Sequence, residues 1–86
     1  MKMIIVILRD HLRDALTRAL TEGQYRVTGI ASTGGFLRSG VATLLIGVEE
    51  AQVETAIELI RKTIGPSTGE RLATVFVVPV SRFEQV

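Results

Sequence analysis

Two stretches of this chain, Leu12 to Leu20 and Val53 to Ile64, carry apolar residues at helical spacing, and short apolar runs flank each of them. That switching of period constrains the fold more than any other feature. Leu12, Ala15, Leu16, Ala19 and Leu20 fall on one stripe, and Val53, Ala56, Ile57, Ile60 and Ile64 on another. Residues three and four apart share a helix face, so each stripe predicts an amphipathic helix with one side to bury. Ahead of the first stripe, Met3 to Leu8 (MIIVIL) is a continuous apolar run, the pattern of a strand buried on both faces. Tyr25 to Ser32 alternates, with Tyr25, Val27, Gly29 and Ala31 on one side and Arg26, Thr28, Ile30 and Ser32 on the other. That is the period of a second strand. Val41 to Val48 (VATLLIGV) predicts a third, close enough to pair with the second as a hairpin. Ala73 to Val80 (ATVFVVPV) predicts a fourth. Pro79 lacks an amide hydrogen, which places the end of that strand at a sheet edge or exit.

The punctuation between these elements agrees with them. Asp10 suits a helix N-cap, and Glu49 and Glu50 sit where a helix N-terminus favours negative charge. Gly23 and Gly65-Pro66 follow the two stripes and suit helix stops. The order is βαββαβ in one domain spanning 1–86. Two crossover helices on one face of a four-stranded antiparallel sheet make an α+β, ferredoxin-like sandwich. The helices cover one sheet face only. Hydrophobic residues make up 47% of the chain and mean hydropathy is +0.36, although a domain this small buries a modest share of its surface. The second sheet face is therefore expected to meet other subunits, in a closed ring.

Several functions are disfavoured by composition. A formal net charge of +1, from 10 basic and 9 acidic residues, gives neither the basic footprint of nucleic-acid binding nor a polybasic membrane segment. No run approaches the roughly 18 apolar residues of a membrane span. The start, MKMIIVILRD, has too short an apolar run for a signal peptide and reads as the first strand of a cytoplasmic protein. With no cysteine and His11 the single histidine, neither a metal site nor a nucleophilic triad can be assembled from the usual ligands. Asp10, Asp14, Glu49 and Glu50 read as helix-end and surface charges. The expectation is a protein that is not an enzyme.

Two features invite a ligand. Ser32 to Gly40 reads STGGFLRSG. It has no Walker A lysine and no G-x-G-x-x-G spacing. A plain hairpin turn is one reading. The other is a binding loop: Thr33, Gly34 and Gly35 offer successive backbone N–H groups for an anion, and Phe36 beside them offers a face for a purine. The second feature is Arg26 and Thr28, two residues apart on one face of the second strand. Such a pair either holds a phosphate or is a solvent-facing polar stripe.

Arg26 to Gly40, RVTGIASTGGFLRSG, resembles the R-x-T-x-x-x-[ST]-T-G-G-F-L-R-x-G signature of the PII-like cyclic di-AMP receptor family. Ala73 to Val86, ATVFVVPVSRFEQV, resembles that family's closing strand and tail, and the likeness spans nearly the whole chain. The resemblance implies a ferredoxin-like protomer, a homotrimer and one cyclic di-AMP in each cleft between subunits, with signalling through mobile loops rather than catalysis. It places Gly35, Phe36 and Leu37 of the loop against one adenine, next to the Gly34-Gly35 backbone read above as an anion nest. It adds Arg26 and Thr28 from the second strand, Gly47 from the third, Phe76 from the fourth and Gln85 from the tail. Two positions depart from the pattern. Val41 stands where the signature usually has asparagine, so its side chain makes no hydrogen bond. Gly65 to Leu72 (GPSTGERL) replaces a much longer ligand-responsive excursion. A trimeric module that has lost the nucleotide and docks a protein through Phe36 and Leu37 is the alternative these departures favour.

Overall fold

The computed structural model describes residues 1–30, 40–65 and 72–86. Four strands, β1 (Lys2–Arg9), β2 (Arg26–Ile30), β3 (Val41–Val48) and β4 (Ala73–Pro79), alternate with two helices, α1 (Arg13–Glu22) and α2 (Val53–Ile64). The sheet order is β2-β3-β1-β4 and every neighbouring pair is antiparallel. This is the expected ferredoxin-like arrangement. Pro79 falls on the edge strand β4, where its missing amide costs no ladder bond.

The core lies between the helices and one sheet face. Ile4, Val6 and Leu8 of β1 and Ala42, Leu44, Ile46 and Val48 of β3 bury against Leu16, Leu20, Ala56 and Ile60. The alternate residues of β1, Met3, Ile5 and Ile7, are only half-buried. The run MIIVIL is thus covered on one side by helices and on the other by little, which corrects the expectation of burial on both faces. Residues of the open face align in rows through the ladder. Arg26, Gly47, Met3 and Val78 form one row, Thr28, Leu45, Ile5 and Phe76 the next, and Ile30, Thr43, Ile7 and Thr74 a third.

Helix ends depart from the sequence expectations in instructive ways. Asp10 is not an N-cap: it opens a 3₁₀ turn, Asp10–Leu12, that leads into α1, and its side chain caps nothing. Its backbone N–H donates instead to the Gly40 carbonyl at 2.7 Å. Gly23 follows α1 as expected, but the left-handed residue there is Gln24, with φ 68°. The Gln24 N–H donates to Thr21 and the Tyr25 N–H to Leu20, both at 2.9 Å, the paired bonds of a Schellman closure. Gly23 is small for another reason: a Cβ there would stand 3.2 Å from the Tyr25 ring and 3.3 Å from Leu59. At α2 the Glu49 N–H donates to Gln52 Oε1 at 2.9 Å, and Glu50 pairs with Lys2 at 3.8 Å.

Candidate functional site

A cleft of about 420 Å³ opens on the uncovered sheet face, at the end where β1 begins and β3 finishes. Arg26, Thr28 and Gly47 contribute from the sheet, and Phe83 and Gln85 from the tail. The tail arrives there because the Val80 N–H donates to the Met1 carbonyl at 3.0 Å. An exposed local ion pair joins Arg82 and Glu84 on either side of Phe83. Lys2 also lines it, and Met1, Met3, Leu45 and Val80 make the remainder of the wall apolar.

Each polar member has a local cause. β2 alternates sides, so Arg26 and Thr28 face away from the helices while Val27 turns toward the core. Arg26 has no carboxylate partner among the described residues. Gly47 stands opposite both Arg26 and Met3 in the ladder, and no atom lies within 4 Å of where its Cβ would be. The row therefore has a gap in the middle, wide enough for a flat object to approach the β3 backbone. A concave, mainly apolar wall with one free guanidinium and a few hydrogen-bonding groups suits a small anionic molecule with an aromatic part.

Four of the expected site residues, Arg26, Thr28, Gly47 and Gln85, thus share one cleft. Phe76 lies on the same sheet face, half exposed, but on the opposite edge strand, three strand spacings or about 14 Å from Thr28. Gly34, Gly35, Phe36 and Leu37 lie outside the described residues, as does most of the short 65–72 segment. Val41 opens β3, half-buried and paired with Arg9. Phe83 was not anticipated. It sits in a tail with no strand or helix periodicity, and its neighbours in space place it in the cleft.

Among the described residues, no group of three or more His, Cys, Asp or Glu side chains is placed to hold a metal ion. None of the described helices is long and apolar enough to cross a membrane.

Residues 1–72 match the model of the cyclic-di-AMP receptor family. The chain belongs to that family. The cyclic-di-AMP receptors are signalling proteins, not a family of enzymes, which agrees with the signature resemblance in Arg26 to Gly40. The matched span includes Arg26, Thr28 and Gly47 and stops short of β4 and the tail. Similarity in three dimensions continues further. The crystal structure of a functionally unknown protein from Pediococcus pentosaceus ATCC 25745 is 33% identical and superposes with a TM-score of 0.79, covering 99% of this chain and 96% of that one.

Proposed function

We propose that this receptor binds cyclic di-AMP at the Gly47 cleft and that neighbouring subunits of a homotrimer complete each site. The observation that carries the proposal is the convergence of Arg26 and Thr28 of β2, Gly47 of β3 and Gln85 of the tail on one cleft. Arg26 holds a phosphate through its planar fork of donors. Thr28 and Gln85 hydrogen-bond the sugar or base. The bare backbone at Gly47 lets a ring lie close. From the loop, the Gly34-Gly35 backbone approaches phosphate or sugar, while Phe36, with Leu37 beside it, stacks on one adenine. Phe76, at the far edge of the sheet, reaches a site through the next subunit rather than its own. Met3, Ile5, Leu45 and Ile30 on the open face supply the apolar surface the trimer buries.

Thermal unfolding with and without cyclic di-AMP, with ATP as a control, tests the proposal. Ligand at 100 times its Kd adds about 2.7 kcal/mol per site. No shift at millimolar cyclic di-AMP overturns it. Val41, which cannot hydrogen-bond, favours the second reading, a trimeric module that docks a protein through Phe36 and Leu37. A stable protein complex combined with no nucleotide response is the result that would replace the first reading with the second.

A further inference from the structure

We infer that Phe83 is a second base platform of the receptor, stacking the adenine that enters the Gly47 cleft. The inference rests on the proposed binding of cyclic di-AMP and goes beyond it, because it assigns a ligand role to the tail aromatic. Phe83 lines the same cleft as Arg26, Thr28, Gly47 and Gln85.

The fold itself makes little use of this ring. Phe83 is 58% exposed and is not among the residues packed against the core. An exposed phenylalanine alone would mean nothing. This one belongs to a tail whose start is tied to the sheet by the Val80–Met1 hydrogen bond, three residues before it, and it lies between the two members of the local Arg82–Glu84 pair. The ring thus lines the cleft while much of its surface is left uncovered. At Gly47, meanwhile, the missing side chain leaves the sheet open with nothing within 4 Å. An aromatic wall, a bare backbone and hydrogen-bonding groups from Thr28 and Gln85 at the rim are what a purine needs: stacking surface, room for a flat ring and partners for its polar edge.

The stoichiometry of the ligand asks for such a residue. Cyclic di-AMP has two adenines, and Phe36 in the loop serves one. The loop joins the sheet at Ile30 and Gly40, and Ile30 lies four residues along β2 from Arg26, about 13 Å. The Gly47 cleft is therefore a separate station from the loop's root. The second adenine needs its own platform there, and among the cleft's lining residues Phe83 is the aromatic one.

The test is calorimetric titration of the full chain and its Phe83→Ala and Phe83→Tyr variants with cyclic di-AMP, with assembly mass measured by sedimentation. Phe83→Ala should weaken binding about 5- to 150-fold, the span of one base–aromatic stack, and Phe83→Tyr should retain it. The chain has no tryptophan, so Phe83→Trp supplies a single tryptophan whose emission, excited apart from Tyr25, cyclic di-AMP should quench saturably. If the unaltered chain binds but Phe83→Ala binds within twofold of it and Phe83→Trp is not quenched, the inference fails and the nucleotide reading stands. A fall in assembly mass on Phe83→Ala reassigns the residue to a subunit contact and overturns the inference. Failure of the unaltered chain to bind removes both.

Discussion

Arg26 of β2 pairs directly with Gly47 of β3, and a Cβ added to Gly47 would meet, among the described residues beyond its chain neighbours, no atom within 4 Å. Gly40 and Gly65 are the described glycines with left-handed φ, and Gly47 is not one of them. A glycine inside a regular element costs about 0.5–1 kcal/mol relative to alanine, and here neither backbone angle nor packing calls for it. Nothing among the described residues of the protomer accounts for the glycine. Gly47→Val should therefore leave the fold intact, with unfolding shifted upward by about 0.5–1 kcal/mol, and should abolish cyclic di-AMP binding by filling the gap beside Arg26. Denaturant unfolding and titration of the same sample separate the two effects. A variant that binds normally would show that the gap is not the ligand's.

Arg26→Ala tests the charge. Arg26 is exposed and carries no ion pair among the described residues, so stability should change by less than about 0.5 kcal/mol. A hydrogen bond to a charged group contributes roughly 1.5–3 kcal/mol, and affinity should fall about 10- to 150-fold. Titration at low and high salt gives a second readout. The unaltered receptor should lose affinity with added salt more steeply than the variant, because an exposed charge pair is screened.

Val41→Asn tests the departure from the signature. Val41 is half-buried at the start of β3, next to Gly40, where the loop rejoins the sheet. Asparagine restores a donor and an acceptor at that place. A single hydrogen bond contributes roughly 0.5–1.5 kcal/mol net, so affinity for cyclic di-AMP should rise about 2- to 10-fold. Asparagine is a poorer strand residue than valine, and the same variant should unfold slightly earlier. Calorimetry and thermal unfolding measure the two opposing changes.

These predictions draw unequally on sequence and structure. β3 was legible residue for residue, because VATLLIGV is bounded by Gly40 and by a helix-starting Glu pair and pairs on both sides in the sheet. Arg26 and Thr28 were legible because period two fixes which side a strand residue faces. The run MIIVIL was ambiguous, since an apolar stretch cannot reveal whether helices or another subunit cover its second face. The stop of α1 at Gly23 was legible, but not which residue takes the left-handed conformation that closes it. Here that conformation falls to Gln24 while Tyr25 and Leu59 crowd the Gly23 position. Phe83 was legible only as part of the tail's resemblance, since its place in the cleft depends on a sheet that begins about eighty positions earlier.

The two helix ends predict opposite responses to substitution. Gln24 holds φ 68°, a conformation that costs a residue with a Cβ roughly 1–2 kcal/mol. Gln24→Gly should stabilise the protein by up to about 1 kcal/mol, part of the relief being offset by glycine's greater freedom when unfolded. Gly65 holds φ 80° and ψ −179°, a region occupied almost solely by glycine. Gly65→Ala should therefore destabilise by about 1–3 kcal/mol. Chemical denaturation of both variants checks the pair. If Gly65→Ala were neutral, the positive φ would not be a requirement of the chain's turn out of α2.

Thr43 carries the last prediction. It lies on the open face of β3, between Ile30 and Ile7 in the ladder, and is 7% exposed. Its Oγ1 is buried with no hydrogen-bond partner among the described residues. A hydroxyl stripped of water and left unpaired costs about 1–3 kcal/mol, and valine has nearly the same shape without the hydroxyl. Thr43→Val should accordingly raise stability by about 1 kcal/mol, which for a domain of this size moves the unfolding midpoint up by roughly 4–8 °C. The measurement belongs at two protein concentrations, because the midpoint of an assembly rises with concentration and that of a lone chain does not. A gain that is the same at both concentrations assigns the cost to the protomer's own packing. A loss of stability, larger when the protein is concentrated, would mean that assembly supplies the Thr43 hydroxyl with a partner that the single protomer lacks.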